Sequence, residues 1–478
     1  MTDLPVGRAS FDPPPDAAER LWQRVADIFR TEREQIAGRP VSRPVDLDGL
    51  QSALGSYDFA RPADPEDVID EVAALLRDNT VHTTHPRYFG LFNPSPTLMS
   101  VIGEALAAGF NPQLAAWSHA PAAAEIEAHL LRFLGRRLGY PPETVAGSFA
   151  SGGAEANLTA VLLALTKTWP EYGAAGVRAL AGRPVLYASA ESHLAWLKIA
   201  HATGIGREAV RLVPTGPDLR LDTARLAAQV AADRAAGDRP FLVIGTAGTT
   251  AAGVIDPLSE LADFCRDLGV WFHVDAAYGG AAALSDRLRP ALMGIERADS
   301  ITLDAHKWLS VPMGAGALLC TDGAALTETF RVTTSFMPAD VPGTVDPYTS
   351  SHQWSRRFMG LKLFLSLAVA GRTGYAEQLE RDADLADYLR EGLVGAGWDI
   401  VNATPLPVVC FADPEDRTWE HHDALAQFVV DGGRAWISPV RLNGRAALRA
   451  CVISHRTTTA DIDELVRVLN DARGDWRT

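Results

Sequence analysis

Cysteine is scarce in this chain, with four in 478 residues, at Cys265, Cys320, Cys410 and Cys451. They are widely spaced, form no Cys-x-x-Cys pair and have no histidine cluster beside them. The sequence therefore suggests neither a metal site nor a disulfide framework, and reduced core thiols are expected. Long apolar runs are missing as well. No stretch reaches the roughly 18 uninterrupted apolar residues of a membrane span, and the polar, proline-rich start lacks the basic lead and apolar core of a secretory signal. A cytoplasmic location without a membrane partner is the expectation. Positive charge is in deficit: 44 Lys and Arg against 59 Asp and Glu leave −15 at pH 7. That field repels phosphate backbones and argues against nucleic acid as a partner. Neither internal repeats nor low-complexity tracts are evident.

What is present is apolar content of 47% in a long chain, enough to bury one large core and a smaller one. A Pro/Asp-rich lead from Phe11 to Ala17 is followed by helical patterns at Ala18 to Gly38 and Pro65 to Arg77. Residues 1–100 thus form a helical N-terminal segment too thin in core residues to fold alone. A helix from about Ala122 to Leu138 carries Ile126, Leu130, Leu131 and Leu134 at helical spacing. Short β-rich runs at Val185 to Ala188, Val210 to Val213, Phe241 to Gly245, Val270 to Val274 and Ala315 to Cys320 then alternate with helical stretches. The fold class is α/β around a mostly parallel sheet, with a large domain over 101–370. A helix from Arg357 to about Ala370 leads to Gly371. Helices at Leu379 to Leu393 and Thr459 to Leu469, with strands at Val408 to Phe411 and Ala447 to Ile453, form a smaller α+β domain over 371–478.

Three segments carry candidate chemistry. In Asp304-Ala305-His306-Lys307-Trp308-Leu309 a lone lysine follows a strand-like stretch. Burial disfavours the ammonium form and makes such a lysine a nucleophile able to form a Schiff base with an aldehyde such as pyridoxal phosphate. A surface lysine whose stem lies along its neighbours has the same local sequence. In Val270-Trp271-Phe272-His273-Val274-Asp275-Ala276-Ala277-Tyr278-Gly279-Gly280, an apolar strand ends in Asp275, at the end of a parallel strand where ligands bind. A carboxylate there suits a protonated ring nitrogen, and it equally suits a helix cap. In Ser151-Gly152-Gly153-Ala154-Glu155-Ala156-Asn157-Leu158, paired glycines open a helix and expose N–H groups at its positive end, a phosphate site.

The order of these segments, with His193 and Thr246 between them, resembles the group II pyridoxal-phosphate decarboxylases, relatives of the aromatic-amino-acid, histidine and glutamate enzymes. The likeness runs from about His85 to Arg456 through His85-Pro86-Arg87-Tyr88-Phe89-Gly90, Thr246-Ala247-Gly248-Thr249-Thr250, Arg356-Arg357-Phe358 and Leu448-Arg449. It implies a fold type I transferase architecture, pyridoxal 5'-phosphate as cofactor, and a homodimer with the N-terminal segment wrapped on the second subunit and active sites at the interface. It implies Lys307 as Schiff-base lysine, Asp275 at the ring nitrogen and His193 stacked on the ring. His306 and Ser300 match positions near the phosphate, Thr246 and Ala277 positions flanking the ring, and Gly153 and Ala154 the phosphate loop. Ala154 replaces a serine or threonine hydroxyl of many relatives, at a cost of roughly 1.5 to 3 kcal/mol if nothing substitutes. Backbone N–H groups of Gly153 and Ala154 remain.

The implied activity is decarboxylation of an L-amino acid, aromatic favoured, to amine and CO2. The carbanion left behind must be protonated at Cα, which in the family is often done by a loop tyrosine. In Thr329-Phe330-Arg331-Val332-Thr333-Thr334-Ser335-Phe336 that position falls on Phe336, which has no proton to give. In the family, phenylalanine here accompanies oxidative release of an aldehyde. Tyr348 and His352 are alternative donors. Aminotransferase or carbon–carbon lyase chemistry on the same fold is a third possibility. Phe92, Asn93, Pro94, Ser95, Leu114, Trp117 and Met313 are expected to wall the substrate pocket. Arg356, Arg357 and Arg449 are expected either to anchor a carboxylate or to form ion pairs between domains.

Overall fold

The computed structural model describes residues 11–332, 334–335, 337–338 and 341–475. Its centre is a seven-stranded sheet of β1 (Ala146–Ala150), β2 (Pro184–Ser189), β3 (Val210–Val213), β4 (Arg239–Thr246), β5 (Trp271–Asp275), β6 (Ser300–Asp304) and β7 (Gly316–Cys320). The order across the sheet is β1-β7-β6-β5-β4-β2-β3, and β7 alone runs antiparallel to its neighbours. Helices Gly153–Thr168, Ala195–Ala202, Thr223–Ala235 and Leu258–Leu268 make the crossovers that parallel strands need. With both faces covered, β2, β6 and β7 are buried at every position, which explains the largely apolar sequence of β2 and β7, while β6 alternates polar and apolar residues.

Strand β1 has no counterpart in the β-rich runs read from the sequence. Its Ala-Gly-Ser-Phe-Ala composition is poor in strand formers, and packing decides instead. A Cβ on Gly147 would stand 2.2 Å from the carbonyl oxygen of Leu318 on β7, so only glycine lets these strands pair. Between β6 and β7 the chain turns back within residues 305–315, so the segment carrying Lys307 is the loop of a hairpin.

The second sheet is antiparallel, ordered β10-β11-β9-β8, from β8 (Asp399–Ile400), β9 (Val408–Ala412), β10 (Ser438–Leu442) and β11 (Arg445–Cys451). Helices Trp419–Asp431 and Thr459–Asp475 cover it over a separate core that includes Leu389, Trp398, Phe411, Leu425, Leu448 and Leu465. One helical run, Gly360–Gly395, links the two sheets and kinks at Gly371 (φ 67°, ψ 170°), a conformation open essentially to glycine alone. The N-terminal helices Pro15–Gln35, Leu47–Gly55 and Pro65–Asn79 contain no buried residue, and Trp22, Phe29, Leu54 and Leu76 are more than half exposed. Among the described residues no helix is long and apolar enough to cross a membrane.

Candidate active site

Because β1, β2, β4, β5 and β6 run parallel, their carboxyl ends meet at one edge of the sheet, where open α/β folds bind ligands. A cavity of about 510 Å³ lies there, lined by Gly153 and Ala154 after β1, His193 after β2, Thr246 of β4, Asp275 and Ala277 at β5, and Asp304, His306 and Lys307 at β6. Leu91, Phe92, Asn93, Tyr278 and Met313 complete the wall.

The hairpin loop fixes Lys307. Its N–H donates to the carbonyl of Asp304 (3.2 Å), its carbonyl accepts from Ser310 N–H (3.0 Å), and Thr97 N–H holds the carbonyl of Ser310 (2.8 Å). The ammonium lies 3.2 Å from Oδ2 of Asp304, a nearly inaccessible carboxylate whose Oδ1 has no hydrogen-bond partner. His306 accepts from Ala315 N–H at Nδ1 (3.2 Å), and burial pushes its pKa down, against the pull of Asp304. Gly316 keeps this corner tight, since a Cβ there would stand 2.6 Å from Asp304 Oδ1 and 2.7 Å from the Gly152 Cα. Asp304 is a cavity residue to which the sequence reading gave no role.

Asp275 is buried, accepting from Ala277 N–H at Oδ1 (3.1 Å) and from Asn157 Nδ2 at Oδ2 (2.9 Å). At the glycine loop, Gly152 supplies no capping side chain to the sixteen-residue helix Gly153–Thr168. The carboxylate of Glu155 in that first turn is bound back to Ser151, by N–H at 2.8 Å and Oγ at 2.6 Å, and to the Gln353 amide. An anion is thus left the helix N-terminus. His193 is exposed over the open face, with Nδ1 accepting from Ala195 N–H (3.2 Å), and the Thr246 hydroxyl is bonded to that of Ser192 (2.8 Å). An amine, an anion cradle and a carboxylate acceptor set around one cavity fit an aldehyde cofactor with a phosphate and a basic ring nitrogen.

Residues 53–413 match the model of the pyridoxal-dependent decarboxylase conserved domain. The chain belongs to this family. An aromatic-L-amino-acid decarboxylase of Bacillus atrophaeus is 30% identical over 459 residues, 94% of this chain and 93% of its own. Crystal structures similar to the fold include mouse CSAD (TM-score 0.90, 28% identity, covering 96% of this chain and 99% of that one) and the 4-hydroxyphenylacetaldehyde synthase of Rhodiola rosea (0.87, 25%, 97% and 99%). The protein is a decarboxylase of fold type I that uses pyridoxal phosphate and acts on an amino acid.

Not every residue singled out in the sequence reaches the decarboxylase cavity. Ser300, expected near the phosphate, begins β6 at the opposite end from Asp304, about 13 Å away at the rise of a strand. It is fully buried and bonded to Trp271 and His273. Tyr348 lies in the short turn Pro347–Ser350, donates its N–H to the carbonyl of Ala115 (3.1 Å) and stacks on Trp354 at 4.9 Å, outside the cavity lining. Phe336 falls outside the described residues. His352 is half exposed, 3.9 Å from Glu155. Of the expected pocket wall, Phe92, Asn93 and Met313 line the cavity. Leu114 is in a separate buried cluster, Trp117 bonds to Glu125, and Ser95 lines a groove beside the N-terminal helices. Arg356 is paired with Glu127 and Arg357 with Glu104, so both are ion-pair residues. Arg449 bonds to the carbonyls of Thr250 (2.5 Å) and Gly90 (2.8 Å) behind the cavity wall.

Trp308, next to the lysine, donates from Nε1 to Oδ2 of Asp382 (2.9 Å), and Gln378 binds Oδ1 (2.7 Å). Burial raises the Asp382 pKa from 3.8 to about 7. The folded state therefore holds this proton more tightly than the unfolded chain. The stabilisation is full below about pH 4 and is lost as pH rises to about 7. Asp382→Asn keeps an acceptor for Trp308 and removes the titration. The melting temperature of the parent relative to this variant is expected to fall as pH rises from 4 to 7 and to level off above. A difference constant over that interval contradicts the assignment.

Proposed function

We propose that this decarboxylase acts on an aromatic L-amino acid, releasing CO2 and leaving the amine. The observation that carries the reading is the wall beside Lys307. Leu91, Phe92, Tyr278 and Met313 make it apolar, with the Phe92 and Tyr278 rings 4.3 Å apart. Among the described residues that line it there is no arginine and no lysine besides Lys307 to recognise an acidic side chain. The similarity to the Bacillus aromatic-L-amino-acid decarboxylase points the same way.

Bound pyridoxal phosphate supplies the electron sink that accepts the pair left when the bond from Cα to the carboxylate breaks. Lys307 would carry the cofactor, and Asp304, 3.2 Å from its nitrogen, would hold the lysine ammonium when it is free. Asp275 would face the ring nitrogen, His193 would cover the open face, Thr246 and Ala277 would flank the ring, and Gly153, Ala154 and His306 would hold the phosphate. The exposed apolar side chains of the N-terminal helices support a homodimer, and the composition supports a cytoplasmic location.

A second reading rests on Phe336. With no phenol there to protonate Cα, the amino acid, O2 and water would give the aldehyde, CO2, ammonia and hydrogen peroxide. Incubation of the cofactor-loaded protein with each aromatic amino acid in air, following all these products, decides between them. Amine equal to CO2 without peroxide is the expected outcome, and aldehyde with stoichiometric peroxide establishes the second reading. In the latter case Phe336→Tyr is expected to shift the product toward amine by about tenfold or more. An unchanged ratio removes Phe336 from the account.

A further inference from the structure

Beneath the cofactor site runs a buried line of polar side chains. On β5 the alternating residues Trp271, His273 and Asp275 share one face, and on β6 Ser300, Thr302 and Asp304 share the same one, in the register His273 to Ser300 and Asp275 to Thr302. The helix Gly153–Thr168 lies on that face and lowers Asn157 into it, 2% exposed. Trp271 Nε1 is 2.9 Å from Ser300 Oγ, which is 2.9 Å from His273 Nδ1. His273 Nε2 is 3.0 Å from Asn157 Oδ1, and Asn157 Nδ2 is 2.9 Å from Asp275 Oδ2. Thr302 Oγ1 donates to the same Asn157 oxygen at 2.7 Å.

The carboxylate end fixes the direction of the Asn157 bonds, and a neutral His273 ring fixes the rest. An indole N–H only donates, and a carboxylate only accepts. Asn157 must therefore turn its amide N–H to Asp275 and its carbonyl to His273 and Thr302. His273 then donates from Nε2, and with the ring neutral its Nδ1 accepts from the Ser300 hydroxyl. Burial lowers the His273 pKa to about 4, in agreement. All donors in the line point toward Asp275, and hydrogen bonds aligned in this way polarise one another.

We propose that Asn157 is a positioning residue for the cofactor ring: it terminates a one-way hydrogen-bond line, Trp271 to Ser300 to His273, that orients the Asp275 carboxylate toward the ring N–H. Ser300 then acts on the cofactor through this line. The inference rests on the cofactor reading above, in which Asp275 meets the ring nitrogen.

The test compares binding of pyridoxal phosphate with that of its analogue bearing CH in place of the ring nitrogen, by titration of the full-length apoprotein. The parent is expected to prefer the natural cofactor. Asn157→Leu, close in size and without the amide, is expected to lower that preference at least about fivefold, whereas a purely structural loss weakens both ligands alike. Trp271→Phe removes only the far N–H, and a smaller shift in the same direction is expected. It decides the matter should Asn157→Leu not fold. A preference equal to the parent's in the folded variants overturns the proposal. A parent that binds neither ligand overturns the cofactor reading beneath it.

Discussion

Lys307→Ala is expected to abolish covalent capture of the cofactor and to lower CO2 release by more than about a thousandfold. Among the described residues that line the cavity the amine is the one lysine nitrogen, and the hairpin loop brings it to the same edge as Asp275 and the glycine loop. Lys307→Arg separates charge from chemistry. Guanidinium keeps the positive partner of Asp304 and cannot be deprotonated to form a Schiff base. Both variants are expected to fail equally, read as loss of borohydride-trapped cofactor by mass and of single-turnover CO2. Retained trapping in either variant rules out Lys307 as the attachment point.

The second large effect is expected at Asp275. Asp275→Asn presents an NH2 group either to the ring nitrogen or to one of the N–H donors of Asn157 and Ala277, which now bind carboxylate oxygens at 2.9 and 3.1 Å. One buried donor is left without an acceptor. A lost hydrogen bond to a charged group costs about 1.5 to 3 kcal/mol, so cofactor affinity is expected to fall about 10- to 100-fold. Decarboxylation at saturating cofactor is expected to fall at least about a hundredfold, because the electron sink loses its charged partner. Measuring kcat at several cofactor concentrations separates the two. A variant restored to the parent rate by excess cofactor alone confines Asp275 to binding.

The sequence made the strand ends legible because those strands are buried on both faces, and each apolar run stops at a polar residue. Asp275 and Lys307 stood out by their places after such stretches, the paired glycines marked Gly153, and the order of the local motifs, with His193 and Thr246 among them, pointed to the family. Residues defined by packing across the sheet were harder to read. Gly147 marks β1 only because of the carbonyl opposite it, a contact that strand propensity does not encode. Ser300 was assigned by alignment of motifs, yet the length of β6 carries it to the far end of the strand. Asn157 looked like part of a helix start. A signal for it was present nonetheless: the polar alternation Trp271-x-His273-x-Asp275 and Ser300-x-Thr302-x-Asp304 in otherwise apolar strands demands a polar partner above it. Tyr348, expected as an alternative proton donor, stacks on Trp354 outside the cavity lining, a packing that the sequence around it does not encode.

The lone antiparallel strand has a mechanical consequence. By returning beside β6 after residues 305–315, β7 clamps the loop of Lys307 at both roots, and the bonds from Thr97, Ser310 and Ala315 pin its middle. The backbone under the lysine has nowhere to travel. With the proposed cofactor bound, release of Lys307 would then need only a swing of its own flexible side chain toward Asp304, with the loop backbone held in place.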